Sequence, residues 1–296
     1  MSGVPMVRPV LGDISVVIPT LGRETLSECL RRIADGEARP ARVILVDQGN
    51  NPETAEWVAE AARAGLPVDH HRAPRRGRAA AVNRGLEHVR TRFVAITDDD
   101  CFAAPDWLPR LADHLRRSPG TIVTGRVEPM GEEEVVAVVT SRLPATYHRP
   151  RLRHDSLSGG NMGAAMTVLE GIGPLDEDPC LATAEDCEYS YRALRRGVPI
   201  AYAPDVLVSH LGWRDAGQRA ATYRSYARSR AGFYGKYLRR GDWFIALRIG
   251  VQLLRASRRW ASGVITGDAE RALNGRANVL GLVPGLVAGW RSGRPS

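Results

Sequence analysis

Short β-branched runs alternate with amphipathic stretches along the first 130 residues, and this alternation limits the fold more than any other feature. ISVVIP (residues 14–19) ends in proline and reads as a buried strand. TLSECLRRIADG (25–36) reads as a helix closed by glycine, and RVILVD (42–47) as a second strand. Strand, helix and strand within so short a span make a parallel βαβ unit. The pattern repeats with a helix over PETAEWVAEAARAG, a short strand near PVDHH, a helix over RAAAVNRGLEHV and the strand RFVAIT. Helix PDWLPRLADHLRR and strand TIVTGRV follow. The expected fold is α/β, a Rossmann-like, mostly parallel sheet flanked by helices. Ligands in such sheets sit at the carboxyl ends of the strands, where Pro19, Thr20, Asp47 and Asp98 to Asp100 fall.

Beyond about residue 130 the alternation stops. EPMGEEEVVAV and LPATYHRPRLRHD read as a connection or loop, LSGGNMGAA as a glycine-rich piece, TAEDCEYSYRALRRG (183–197) as a helix and VPIAYAP as a short strand. From Arg214 the chain turns helical and basic, which divides it into a domain over 1–213 and a helical extension over 214–296.

VAITDDDC (94–101) ends a strand on three adjacent carboxylates, which repel one another unless a cation or a set of hydrogen-bond donors answers them. If the extended geometry persists, Asp98 and Asp100 face the same way and Asp99 faces elsewhere. Two carboxylates are too few for a full cation cage, but they suit Mg²⁺ or Mn²⁺ that completes its shell with water and substrate phosphates. A solvated acidic turn has the same composition. Other stretches read both ways as well. Thr183 and Asp186 in TAEDCEY fit a capped helix start or a carboxylate poised as a general base. Ser158, Gly159, Gly160 and Asn161 fit a plain loop or a close backbone approach to a ligand. His210 in VSHLGW fits a structural histidine or a metal ligand beside Asp100. Arg75, Arg76 and Arg78 around Gly77 suit a diphosphate or a solvated face.

The order of these blocks is more specific than any one of them. VVIPTLGR, ILVDQGN, RRGRAAAVNRGL, ITDDDCFAAPDWL, GGNMGAAMTVLEGIGPLDED and AEDCEYSYRALRRGVPIAYAPDVLVSH follow one another over about residues 13–211. This succession resembles the family 2 glycosyltransferases, nucleotide-sugar enzymes of the GT-A fold. The resemblance implies an inverting enzyme that moves a sugar from a nucleoside-diphosphate sugar to an acceptor hydroxyl with Mn²⁺ or Mg²⁺. It implies that Pro19, Thr20 and Asp47 border the base and that Asp98 touches ribose and donor sugar. Gly160 and Asn161 would line the sugar pocket, and Arg23, Gly77, Asn83 and Asp99 would complete the donor site. Asp100, with Asp98 and His210, would hold the metal. Asp186 would be the base, with Glu185 beside it binding hydroxyls. The Q-x-x-R-W motif of polymer-forming members does not follow His210, where the chain reads LGWRDAGQRAATYRSY, so a single addition is expected rather than processive synthesis.

Charge separates the two parts. Residues 1–213 carry 25 Lys+Arg against 29 Asp+Glu, whereas residues 214–296 carry 16 against 4. All the excess basicity lies in the tail, and only one of the chain's 41 basic residues, Lys236, is a lysine. In DWFIALRIGVQLLRASRRW a polar stripe of Arg248, Gln252, Arg255 and Arg259 runs down a helix whose other sides carry Trp243, Phe244, Leu247, Ile249, Val251 and Leu254. Such a helix suits an anionic membrane surface; packing on the core or in a homodimer interface is the alternative. The stripe Tyr223, Tyr226, Phe233 and Tyr237 reads as core. Acceptors of the implied kind are saccharides, lipid-linked molecules or natural products.

A basic nucleic-acid-binding protein is the non-enzymatic rival, and the balanced charge of the first 213 residues argues against it. A dinucleotide oxidoreductase would carry G-x-G-x-x-G where PTLGRE stands. A nucleotidyltransferase acting on a sugar phosphate also pairs carboxylates with Mg²⁺. Cys29, Cys101, Cys180 and Cys187 are scattered without zinc or disulfide spacing, and no signal-peptide order or spanning stretch is present. The expected location is the cytoplasm, with attachment to the inner face of the membrane.

Overall fold

A computed structural model describes residues 8–131, 138–153, 157–212 and 216–292. Part of the connection read over EPMGEEEVVAV and the first residues of the basic tail, Arg214 included, lie outside them. The chain divides into two compact units, the first comprising Met1–Arg149, Leu157–Leu175 and Ala193–Gly212, the second Pro150–Ser156, Asp176–Arg192 and Trp213–Ser296.

The first unit is the expected α/β layer structure. It opens with β1 (Val10–Thr20), α1 (Thr25–Ala34), β2 (Arg39–Asp47), α2 (Thr54–Arg63), β3 (Val68–Arg72), α3 (Arg78–Leu86) and β4 (Phe93–Thr97). It continues with β5 (Cys101–Ala103), α4 (Trp107–Arg117), β6 (Ile122–Met130), β7 (Ala145–Tyr147), β8 (Asn161–Ala165), α5 (Met166–Ile172) and β9 (Ile200–Leu211). The sheet order is β3-β2-β1-β4-β8-β6-β9-β5, with β7 also paired to β9. Strands β3, β2, β1 and β4 run parallel, as do β6 and β9; β8, β5 and β7 join antiparallel. Leu26, Cys29, Leu30 and Ile33 of α1 recur at helical spacing and are buried, and Trp107, Leu108, Leu111 and Leu115 of α4 do the same.

Two strands differ from the reading of the sequence. The glycine-rich piece is a turn only as far as Gly160: Asn161–Ala165 forms β8, buried along its whole length between β4 and β6. Glycine, asparagine and alanine are weak strand formers, so packing on both faces rather than propensity sets this strand. The short strand at VPIAYAP runs on to Leu211 as β9, because a register shift between Gly125 and Arg126 takes Pro204, Asp205 and Val206 out of the ladder.

The second unit contains the start of α6 (Glu185–Arg195) with α7 (Ala216–Arg239), α8 (Trp243–Thr266) and α9 (Ala269–Ser292). Tyr191, Phe233, Tyr234 and Ile245 form its buried centre with Leu181 and Cys187, and Tyr223 is buried as well. Helices α7 and α9 meet at their backbones: a Cβ on Gly289 would stand 1.9 Å from the Gly232 carbonyl oxygen. The polar stripe of α8 enters this interior at Arg248 and from there runs out to the surface at Arg259. Arg248 is buried with its guanidinium 5.6 Å from the Tyr234 ring centroid. Gln252 donates to Asn278 Oδ1 (2.9 Å), Arg255 to the Arg153 carbonyl (2.6 Å) and Arg259 to Asn274 Oδ1 (2.9 Å).

The lone lysine has a specific place. Lys236 Nζ lies 2.6 Å from Asp176 Oδ2 and 3.1 Å from Asp178 Oδ2, in a slot suited to a compact three-donor ammonium rather than a planar guanidinium. Burial alone would raise the Asp178 carboxyl, but the Cys180 N–H, Ser292 and Lys236 together hold it down at about 2. A carboxyl depressed in the fold stabilises above its unfolded value of about 3.9 and loses that contribution as pH falls toward the folded value. Lys236→Met should therefore cost about 2–4 kcal/mol at neutral pH. The gap in urea midpoint between variant and parent should narrow on acidification from about pH 4 to about pH 2.

Candidate functional site

The ends of β1, β2 and β4 converge on the acidic triplet, and each carboxylate meets a cation or donor. The strand does not continue through the triplet. Beyond Thr97 the chain turns, with Cys101 N–H donating to the Asp98 carbonyl (3.1 Å), so the expected alternation of Asp98 and Asp100 does not hold. Asp98 pairs with Arg78, the first residue of α3 (Nε to Oδ1 2.7 Å). Asp99 accepts from Thr20 Oγ1 (2.6 Å) and from Arg23 (2.9 Å). Asp100 shares the same Arg23 nitrogen at 3.3 Å and lies 3.5 Å from His210 Nε2. The triplet is therefore not a solvated turn. Burial pushes the Asp99 carboxyl up to about 6 against the pull of Arg23, and the neighbouring Asp100 charge adds to the rise.

His210 reaches Asp100 because β5 and β9 pair antiparallel with Cys101 opposite His210, and the Leu211 N–H donates to the Asp100 carbonyl (3.0 Å). Ligand atoms of Asp100, Cys101 and His210 all lie within 4.8 Å of one another, among the described residues the one such group that could hold a metal ion. The carboxylate oxygen suits Mn²⁺ or Mg²⁺, and the imidazole nitrogen, a ligand of transition ions, favours Mn²⁺ of the two. The thiol adds little to such a set, because a soft sulfur ligand suits neither ion; burial, with the Asp98 and Asp100 charges, lifts Cys101 well above its ordinary value. Asp98, expected as a second carboxylate ligand, falls outside this group and is held by Arg78 instead.

The other strand ends are equally specific. Buried Asp47 accepts from Gly49 N–H (2.7 Å) and lies 3.2 Å from His70 Nε2. Pro19 pairs with Val46 across β1 and β2, and Thr20 with Asp47. Gln48 Oε1 accepts from the N–H groups of Arg76 and Gly77, which ties the end of β2 to the start of α3. Gly160 stands against the triplet, where a Cβ would come 3.0 Å from Asp98 Oδ2 and 2.9 Å from Cys101 Sγ. Arg78 also donates to the Gly159 carbonyl (2.7 Å), joining α3, the triplet and the entry to β8. Arg78 was visible only as one arginine of RRGR, and nothing in the sequence marks Gln48.

Two expected ligand residues are committed elsewhere. Asn161 is fully buried: its Oδ1 accepts from Trp107 Nε1 (2.9 Å), and its Nδ2 donates to the Arg126 and Val206 carbonyls (2.9 Å each). It holds β8, α4 and the bulged β6–β9 pair together rather than lining a sugar pocket. Asn83 exchanges both amide groups with the Leu175 backbone, donating at 2.9 Å and accepting at 2.8 Å. Asn161→Ala would leave an indole N–H and two carbonyls without these partners. It should lower stability by about 2–4 kcal/mol in denaturant titration; a donor-affinity defect at unchanged stability would contradict the reading.

Glu185 and Asp186 open α6 in the second unit. The helix begins at Glu185 rather than directly after Thr183, whose hydroxyl lies 3.3 Å from Ser225 Oγ. Glu185 is buried; Asp186 is half-buried and accepts the Cys187 N–H at 2.7 Å. Nearby Glu188 is structural: it forks with Arg192 at 3.0 Å and accepts from Tyr237 OH at 2.6 Å.

Comparison with known proteins places this arrangement. The family model described as glycosyl transferase family 2 matches residues 15–169, more than half of the chain. A pre-mycofactocin glycosyltransferase of Mycobacterium tuberculosis is 30% identical over 208 residues, which is 67% of this chain and 42% of that protein. The chain thus spans less than half the length of that relative. An undecaprenyl-phosphate 4-deoxy-4-formamido-L-arabinose transferase of Edwardsiella ictaluri is 33% identical over 106 residues, 34% of this chain and 33% of that protein. Among solved structures, the mannosyltransferase PcManGT from Pyrobaculum calidifontis, in complex with GDP-Man and Mn²⁺, superposes with a TM-score of 0.63 at 18% identity, over 96% of this chain and 88% of that one.

Proposed function

The chain belongs to glycosyl transferase family 2, and from that premise we propose that it is an inverting, metal-dependent glycosyltransferase making a single addition from a nucleoside-diphosphate sugar to an acceptor hydroxyl. The observation that carries this reading is Asp100 set against His210 at the strand ends, with Arg23 and Arg78 answering the neighbouring carboxylates.

Pro19, Thr20 and Asp47 border the base, with Arg23 and Gly77 nearby in the donor site, and Gly160 leaves room for the donor sugar beside Asp98. Asp100 and His210 would hold Mn²⁺ or Mg²⁺, and the chemistry that ion would supply is neutralisation of the charge on the departing diphosphate. Asp186 takes the proton of the acceptor hydroxyl, whose oxygen forms a bond to the anomeric carbon. The bond from that carbon to the diphosphate oxygen breaks, and its electron pair leaves with the nucleoside diphosphate. One carboxylate base without a second nucleophile gives direct displacement and inverted configuration. Glu185 orients hydroxyls beside it.

A lipid-linked acceptor is supported by the undecaprenyl-phosphate transferase relative. It agrees with a location at the cytoplasmic face of a membrane, although among the described residues no helix is long and apolar enough to cross one. The test is a screen of UDP-, GDP- and dTDP-sugars with Mn²⁺, with the product's anomeric configuration read by NMR. Transfer from one donor class with inversion is expected. Consumption of a nucleoside triphosphate with a sugar phosphate would point to a nucleotidyltransferase instead.

A further inference from the structure

In the second unit, α8 is built inside out. Its arginine and glutamine stripe is bonded to neighbouring protein, buried at Arg248 and exposed at Arg259, while Trp243, Leu247, Leu254 and Ile265 on the other side are 79%, 63%, 61% and 83% exposed. Their spacings of four, seven and eleven keep them on one face along the full 24 residues, a stripe roughly 33 Å long at 1.5 Å per residue. The neighbouring α9 repeats the design. Gly281, Gly285 and Gly289 pack against α7, and Leu280, Val283, Val287 and Trp290 are exposed away from that seam. The two helices run antiparallel, since Gly263 meets Ala272 and Gly275 meets Trp260 near their junction. Arg239, just before α8, donates to the Trp290 carbonyl (2.9 Å), so Trp243 and Trp290 stand at the same end of the bundle. An exposed apolar stripe of this length marks an interaction site.

Charge identifies the occupant. Helix α8 contains no carboxylate and α9 only Glu270, whereas Arg240, Arg258, Arg276 and Arg291 are exposed around the stripes. A twofold contact between two copies through this face would bring these arginines together with few acidic groups to answer them. An anionic lipid surface satisfies both features: the acyl boundary takes the leucines and isoleucine, interfacial tryptophans sit at headgroup level, and arginines meet lipid phosphates.

We propose that the outer faces of α8 and α9 dock in the plane of an anionic lipid bilayer, with Trp243, Leu247, Leu254 and Ile265 buried in the headgroup boundary. The proposal rests on the membrane-surface part of the proposed function and names the face that performs it.

The full chain should co-sediment with phosphatidylcholine vesicles containing phosphatidylglycerol, bind pure phosphatidylcholine more weakly, and release partly at high salt. The double variant Leu247→Glu/Leu254→Glu should lose binding by about 10²-fold. Both positions are exposed, so the variant should keep its circular dichroism spectrum and its turnover on a soluble acceptor. Unchanged sedimentation of the variant would overturn this face while leaving the membrane location standing; absence of sedimentation by the parent chain would overturn both. A parent dimer that the double substitution splits, with no vesicle binding, would assign the face to a second copy. Loss of sugar transfer with vesicle binding intact would bear on the catalytic reading alone.

Discussion

Asp186→Asn should cut turnover by about 10²- to 10⁴-fold while leaving donor affinity nearly unchanged, the range expected when a general base is removed. Asparagine is close to isosteric, and its side-chain oxygen keeps the contact to the Cys187 N–H that the carboxylate makes at 2.7 Å. The helix start therefore survives, and what is lost is the capacity to accept a proton. Steady-state kinetics paired with calorimetric donor titration separates the possible roles. A fall in kcat alone marks a base, whereas collapse of donor affinity would mark Asp186 as a binding or capping residue.

Asp100→Ala should be comparably severe by a different route. Lewis-acid stabilisation of a leaving diphosphate is worth several kcal/mol, so turnover should fall by about 10³-fold or more and cease to respond to added Mn²⁺. The local fold should tolerate the change: Asp99 still holds Arg23 at 2.9 Å and Thr20 at 2.6 Å, and Asp98 still holds Arg78 at 2.7 Å. The measurement is initial rate against Mn²⁺ concentration for parent and variant. A variant retaining the parent's metal response would remove Asp100 from the metal site.

The sequence made the strand ends legible because β-branched runs, glycine-closed helices and their alternation are local signals, and the ends of β1, β2 and β4 carry Thr20, Asp47 and the triplet as expected. What it hid depends on contacts distant in sequence. Strand β8 is made of residues with poor strand propensity and exists because β4 and β6 flank it. The family resemblance implies that Asn161 and Asn83 are ligand residues, yet partners up to 92 positions away claim their amides. The turn after Thr97 replaced the alternation that an extended chain would give, so Asp99 and Asp100, not Asp98 and Asp100, share a cation. Helix periodicity revealed the polar stripe of α8 but not its direction. Side-chain period fixes which residues share a face, and only packing decides which face is covered.

Everything proposed for catalysis depends on the turn at Asp98–Asp100 gripping a divalent ion that in turn grips a pyrophosphate. Isothermal titration of the chain with UDP and GDP, with and without Mn²⁺, tests this most directly. Mn²⁺ should tighten binding of one nucleoside diphosphate at least about tenfold, and Asp100→Ala should abolish that gain. Equal affinity with and without the metal, or a gain that persists in the variant, would contradict the account.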